Sequence, residues 1–264
     1  MIPVRRFPRP SRLWAVALLI LGLAGSGSLA PATAVTDLVF TRGDSLAIAG
    51  EGLLVGLSMA GADTFALLNE IPDSLSVTGE RTITLVLQNG EGEIFNQADF
   101  SGVLDRALAW DGEFFWSCGD AKDGSSIIYK IATDTLGVLV IDDAITAPGH
   151  RPSSLAYDGR YLWLTDRDSA RIDRFDPEVE EFTRTVTAPG FSPFGLAYDG
   201  SAMWLSDSGT GRLYRLNGSR LRWTGSVAPD VFLARGQDIR LFHDGENLRY
   251  LPSGGRLAVR MDFE

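Results

Sequence analysis

One stretch of this chain occurs twice. Pro152–Phe175 reads PSSLAYDGRYLWLTDRDSARIDRF, and forty-one residues later Pro193–Leu216 reads PFGLAYDGSAMWLSDSGTGRLYRL. Each copy runs Pro, two residues, Leu-Ala-Tyr-Asp-Gly, three residues, Trp-Leu, a hydroxyl residue and Asp, then a short loop and a new alternating run. Self-similarity at a period of 20–50 residues marks stacked or circular repeat architectures, because one such unit cannot bury its apolar face alone.

The repeat unit reads as strands. Ser154–Tyr157 is a short apolar run, and Asp158-Gly159 is a two-residue hairpin signal in which Gly supplies positive φ. Tyr161–Thr165 mixes aromatic and β-branched residues. Arg171–Phe175 alternates apolar and polar, Asp176-Pro177 turns the chain, and Phe182–Thr187 alternates again. Each unit is therefore a four-stranded meander, with strands A to D, and a ring of such meanders is a β-propeller.

The Gly of the turn marks each unit. Gly159 and Gly200 are joined by Gly112, in Trp110-Asp111-Gly112, and by Gly245, in His243-Asp244-Gly245. Trp116 repeats the position of Trp163 and Trp204. Upstream, PDSLSVTG (72–79) aligns with PSSLAYDG, and Asp37–Gly43 supplies a weaker first copy. Markers at 43, 79, 112, 159, 200 and 245 predict six blades, with five or seven as alternatives because the first two units diverge. The last unit holds strands A (Asp238–Phe242), B (Asn247–Leu251) and C (Arg256–Met261) and no strand D. An N-terminal segment near Val35 would complete that sheet and seal its edge.

PFGLAYDGSAMWLSDSGTGRLYRL and PSSLAYDGRYLWLTDRDSARIDRFDPE resemble the repeats of the NHL, SMP-30/gluconolactonase and YncE-like propellers, and more distantly those of virginiamycin B lyase. The resemblance covers 105–260 well and 36–104 poorly. It implies a propeller; these repeats serve enzymes, binding proteins and scaffolds alike. SMP-30-like lactonases hold a divalent metal with a Glu, an Asn and Asp residues, and the lyases use His and Glu with a metal. Neither set can be placed here residue by residue. The chain has only His150 and His243, at non-equivalent repeat positions.

Residues 1–34 stand apart from residues 35–264. Arg5, Arg6, Arg9 and Arg12 precede an apolar run, Leu13–Ala24, and Ala32-Thr33-Ala34 supplies a small-x-small cleavage site. That is the layout of a bacterial secretory signal peptide. A periplasmic or secreted product without a membrane span is expected. Loss of the four arginines takes the net charge from −10 to −14, which argues against nucleic acid as a partner. Cys118 is the single cysteine, so no internal disulfide is available.

Propeller geometry sorts the loops. The D–A and B–C loops share one face, by convention the ligand face, and the A–B and C–D turns share the other. Asp158-Gly159 and Asp199-Gly200 are needed for their turns, and His243 sits beside another. At the start of strand A stand Asp37, Asp73, Asp105 and Asp238, with Ser153 and Phe194 in the remaining blades. A ring of carboxylates repels itself unless a cation or Arg balances it. Ca²⁺ is the candidate cation, and Arg106, Arg151, Arg235 and Arg240 are the candidate balancing groups. The alternative is that Asp merely begins the strand as a turn residue. Asp166 and Asp207 open the B–C loops, as ligand contacts or as turn caps. The repeated tryptophans fit packing between sheets better than a sugar platform. His150, in a D–A loop with no repeat counterpart, is the candidate acid–base residue.

Two functions are compatible with this pattern. The first is a non-catalytic propeller that recognises a ligand or a protein partner at its channel face. The second is a metal-dependent, lactonase-like hydrolase or lyase that uses the Asp ring with His150.

Overall fold

The computed structural model describes residues 36–37, 40–48, 52–61, 63–72, 81–101, 103–104, 106–121, 123–218, 220–227, 236–252 and 255–263. The expected leader at 1–34 lies outside them, as do Asp73, Gly79, Asp105 and Arg235. Among the described residues no helix is long and apolar enough to cross a membrane.

Two strands come first, β1 (Thr36–Asp37) and β2 (Phe40–Ala47). The first meander is β3 (Leu53–Met59), β4 (Thr64–Pro72), β5 (Arg81–Asn89) and β6 (Ile94–Asp99). The second is β7 (Arg106–Trp110), β8 (Phe115–Asp120), β9 (Ser126–Thr133) and β10 (Leu139–Ala147). The third is β11 (Pro152–Tyr157), β12 (Leu162–Asp166), β13 (Arg171–Asp176) and β14 (Glu181–Thr187). The fourth is β15 (Pro193–Tyr198), β16 (Met203–Asp207), β17 (Arg212–Asn217) and β18 (Arg222–Val227). The fifth has three strands, β19 (Ile239–His243), β20 (Leu248–Pro252) and β21 (Leu257–Phe263). Its fourth strand is β2, which pairs antiparallel with β21. The fold is thus a propeller of five four-stranded antiparallel blades, not six.

The miscount has a physical cause. Gly43 is no turn marker but a residue of β2, in the outer strand of the fifth blade. A Cβ there would collide with Arg260 and Asp262 on the paired strand, so the glycine permits a close approach. One blade with long strands, β3 to β6, fills the sequence where two diverged copies were expected. Ring closure by an N-terminal strand is as expected, although β2 rather than the segment near Val35 provides it. β1 instead adds a short parallel fifth strand to the outside of the fourth blade, against β18.

The core is not one mass but five, each between neighbouring blades. Leu85 and Phe115 belong to the core between blades one and two, Trp116 and Phe175 to the next, and Trp163 and Leu205 to the third. Trp204 and Leu241 join blades four and five, and Leu54 and Leu251 close the ring between five and one. The repeated tryptophans are at most 2% exposed. Each contributes roughly 4–6 kcal/mol of burial as an upper bound.

A polar lock explains why Tyr-Asp-Gly and Trp recur together. Asp158 Oδ1 accepts the N–H groups of Arg160 and Tyr161, which shapes the A–B turn. Its Oδ2 accepts Nε1–H of Trp163 at 2.6 Å. Asp111 does the same for Trp116 and Asp199 for Trp204, each at 2.6 Å. In the fifth blade Arg249 replaces the tryptophan and donates Nε–H to Asp244. Gly159, at φ 92°, lets the chain reverse beside its aspartate. These carboxylates therefore fasten turn to core.

Candidate functional site at the loop-side mouth

Strands β3, β7, β11, β15 and β19 stand side by side around the axis. At their N-terminal ends the D–A and B–C loops gather into one mouth. Two loop aspartates organise it. Asp166 is fully buried and accepts the N–H groups of His150 (2.8 Å), Arg151 (2.9 Å) and Ser169 (2.8 Å). Burial alone would raise its pKa, but these bonds together with the Ser169 hydroxyl hold it below the ordinary value. Asp207 repeats the arrangement with Ser192 N–H at 2.6 Å and Thr210 N–H at 2.8 Å. Each staples a B–C loop to the D–A loop of its own blade. Gly149 and Gly190 stand where any Cβ would collide with the Asp166 or Asp207 side chain.

The residue after each aspartate breaks the repeat. Ser208 follows Asp207, whereas Arg167 follows Asp166. Arg167 donates Nε–H to Ser192 Oγ (3.0 Å), an Nη1 hydrogen to Asp238 Oδ2 (2.9 Å) and an Nη2 hydrogen to Ser208 Oγ (3.1 Å). One guanidinium thus ties blades three, four and five together at the mouth. Its carbon lies 5.4 Å from the centre of the Phe194 ring. Arg240 lies at the same 5.4 Å distance from Phe194. On its other side it reaches the neighbouring first blade, donating Nε–H to Val55 O at 3.0 Å.

Strand β19 can carry Arg240 because its counterparts are small. The residues three positions before the end of the inner strand are Gly56, Ala107, Ser154 and Gly195 in the other blades. Burial pulls the Arg240 guanidinium below its ordinary pKa, against the opposing charges of Asp238 and Glu70. Asp238 gives one oxygen to Arg167, while its Oδ1 is buried with no hydrogen-bond donor. Two guanidiniums, one carboxylate, two serines and an aromatic face therefore share this mouth. Arginine in general presents a fork of donors to carboxylate or phosphate oxygens and stacks on aromatic faces; here the Arg167 fork is engaged by Ser192, Asp238 and Ser208.

The positions singled out in the sequence are distributed as follows. Asp238 is in this mouth. Arg106 pairs with Asp120 at 2.7 Å and reaches Pro152 O, one blade away. Arg151 is half exposed and lies 3.6 Å from Asp168. His150 is exposed, and its backbone N–H, held by Asp166, is its contact with the loop staple. Asp37 belongs to β1, on the outer edge of the fourth blade, rather than to the start of an inner strand. Asp73, Asp105 and Arg235 lie outside the described residues. Asp37 and Asp238 are thus carried by different parts of the ring, the outer edge of blade four and the entry to β19. Among the described residues no three His, Cys, Asp or Glu side chains cluster as a metal site would require. Arg167 and Ser192 were missed because their partners lie 25 and 71 residues apart in the chain and meet only at the mouth. The signal was the Arg-for-Ser difference directly after the repeated Asp.

No protein-family model matches the chain, and no curated protein matches it. Solved structures do. A glutaminyl cyclase from Myxococcus xanthus is 11% identical, with a TM-score of 0.62 over 88% of this chain and 100% of that one. A protein assigned as a 6-phosphogluconolactonase from Bacteroides uniformis is 19% identical, with a TM-score of 0.51 over 75% of this chain and 63% of that one. A periplasmic gluconolactonase from Pseudomonas aeruginosa is 20% identical, with a TM-score of 0.48 over 76% of this chain and 65% of that one. The chain spans a little under two-thirds of each lactonase. At these identities the likeness is one of fold, and it agrees with the propeller resemblance of the repeats.

Proposed function

We propose that this is an exported binding propeller that takes a small organic anion, or an acidic group of a partner, at its loop-side mouth. The observation that carries the reading is the placement of Arg167 and Arg240 on either hand of Phe194, with Ser192 and Ser208 beside them. Export is supported by the leader-like layout of residues 1–34. Isothermal titration with gluconate, 6-phosphogluconate and inorganic phosphate tests the binding. Saturable binding that weakens about tenfold or more in Arg240→Lys supports it, since a lysine cannot present the fork. Absence of binding to every anion, or affinity unchanged in both Arg240→Lys and Phe194→Leu, would refute it.

A second reading, a lactonase-like hydrolase, is favoured by one specific observation. Asp238 Oδ1 is buried beside two guanidiniums and has no donor. A carboxylate oxygen so placed can take a proton from an attacking water, with arginine stabilising the oxyanion that forms. Asp238→Asn separates the two readings. It would abolish lactone opening in a pH-stat assay if the protein is a hydrolase, and would leave anion affinity within about threefold if the site only binds.

A further inference from the structure

The D–A loops that enter blades three and four follow one plan and differ in what they display. Pro148-Gly149-His150-Arg151 in the first becomes Pro189-Gly190-Phe191-Ser192 in the second. In both, the glycine lies against the carboxylate that staples the loop, Asp166 or Asp207. Backbone N–H groups after the glycine are fixed by that same carboxylate. The side chain that follows the glycine is left in solvent: His150 in one loop, and Phe191, 66% exposed, in the other. Single exposed hydrophobic residues are common and need no function. Phe191 is set apart by its seat and by its neighbours.

The seat is a second departure from the repeat. A Cβ on Gly209 would collide with the Phe191 ring, so the ring rests where any other residue would carry a side chain. Gly209 is not among the glycines at positive φ, whereas Gly211 in the same loop is, at 66°. The backbone therefore does not demand a glycine at 209; the close approach of the ring does. The equivalent position in blade three is Asp168, which faces Arg151 at 3.6 Å. Blade four thus changes both loops together: an ion pair gives way to Ser192 and Gly209, and His150 to an aromatic ring laid on the glycine.

The neighbours place that ring beside the arginine mouth. Ser192, the next residue, accepts Nε–H of Arg167 at 3.0 Å. Its hydroxyl lies 3.0 Å from that of Ser208, the residue before Gly209. The two loops that hold the ring are therefore the two whose hydroxyls hold Arg167. An exposed aromatic ring next to guanidinium charge suits a ligand with a planar apolar part and a negative group, ring against ring and carboxylate toward arginine. We propose that Phe191 is a specificity-determining shelf of the loop-side mouth, and that the anion taken there is an aromatic carboxylate. This rests on the anion reading above and narrows it.

Isothermal titration of the full protein compares phenylacetate with acetate and cyclohexylacetate, and gluconate tests the anion reading itself. Phenylacetate should bind about tenfold or more tightly than acetate. Phe191→Ser should cut that ratio to within about twofold, and Phe191→Tyr, which keeps the ring, should retain it. Gly209→Ala sets a methyl group in the seat of the ring and should lower the ratio about threefold or more. A residue that only shaped the loop would move both affinities together and leave the ratio in place. Equal affinity for phenylacetate and cyclohexylacetate would show an apolar patch without preference for a ring and overturn the aromatic class. Gluconate binding that depends on Arg240, with phenylacetate no tighter than acetate or with the ratio intact in Phe191→Ser, would overturn the shelf and leave the anion reading standing. Absence of binding by every anion would remove that reading and the shelf with it.

Discussion

The Asp–Trp lock predicts a measurable coupling in the fourth blade. Asp199 Oδ1 accepts Ser201 N–H (2.7 Å), Ser201 Oγ–H (2.8 Å) and Ala202 N–H (2.7 Å), and Oδ2 accepts Trp204 Nε1–H (2.6 Å). Asp199→Ala strands the indole N–H of a residue that is 2% exposed and frees the turn. A buried donor left unsatisfied costs about 1–3 kcal/mol, and the lost turn bonds add to it. A total near 3 kcal/mol lowers the melting temperature by about 6–12 °C in a domain of this size. Trp204→Phe removes the donor and part of the packing against Phe263, whose ring centre lies 4.3 Å away. In a double-mutant cycle the packing loss cancels and the charge-assisted bond remains, about 1.5–3 kcal/mol. Urea unfolding at pH 7 measures it. Acid should weaken the coupling. Burial raises the Asp199 pKa most, but the bonds from Trp204, Ala202 and Ser201 together hold it below its ordinary value. A depressed pKa stabilises the fold above the unfolded-state value near 4, and that contribution is lost as pH falls through the folded-state value. Additive single mutants at pH 7, within about 0.5 kcal/mol, would refute the lock.

Two further predictions concern the loop staple and the variant blade. Gly149→Ala places a side chain at φ 95° and against Asp166, so thermal melting should drop by about 4 °C or more; a shift under about 1 °C would contradict the staple. Arg249→Met leaves the Asp244 carboxylate without its cation, and chemical denaturation should show a loss of about 3–5 kcal/mol at pH 7. In the wild type, burial is outweighed by the Arg249 bond and the turn N–H groups, which keep Asp244 below its ordinary pKa. The difference between Arg249→Met and wild type should therefore narrow as pH falls below about 4, and a gap independent of pH would count against the pairing.

Blades two to four were legible because turn and core chemistry repeat locally, and blade five through its Asp-Gly turn alone. The Asp-Gly turn, the tryptophan five residues after the aspartate and the alternating third and fourth strands lie within one unit. Strands predicted for the third blade, such as Phe182–Thr187, match β14 (Glu181–Thr187). The first blade was not legible, since β3 and β4 meet in a turn without the Asp-Gly and tryptophan signals. β2 was misread for a different reason: its partner β21 lies some two hundred residues away, and alternation alone does not reveal which strand it joins. The mouth was half legible. Asp238 and Arg240 were noticed as charges, but the radius at which Asp37 sits depends on β1 joining β18, an outer-edge pairing invisible in sequence.

The pairing of β2 with β21 also fixes when the ring can form. Four blades complete their four antiparallel strands from consecutive residues, whereas the fifth borrows β2 from near the N-terminal end. Joining segments this far apart costs about 5 kcal/mol of length-dependent closure entropy, which the pairing and the fifth inter-blade core must offset together. The same closure sets β19 beside β3 and completes the wall of the channel. Arg240, which donates to Val55 O across that junction, reaches its partner only when the circle shuts. The geometry of the channel mouth is therefore a property of the closed ring and of no blade within it.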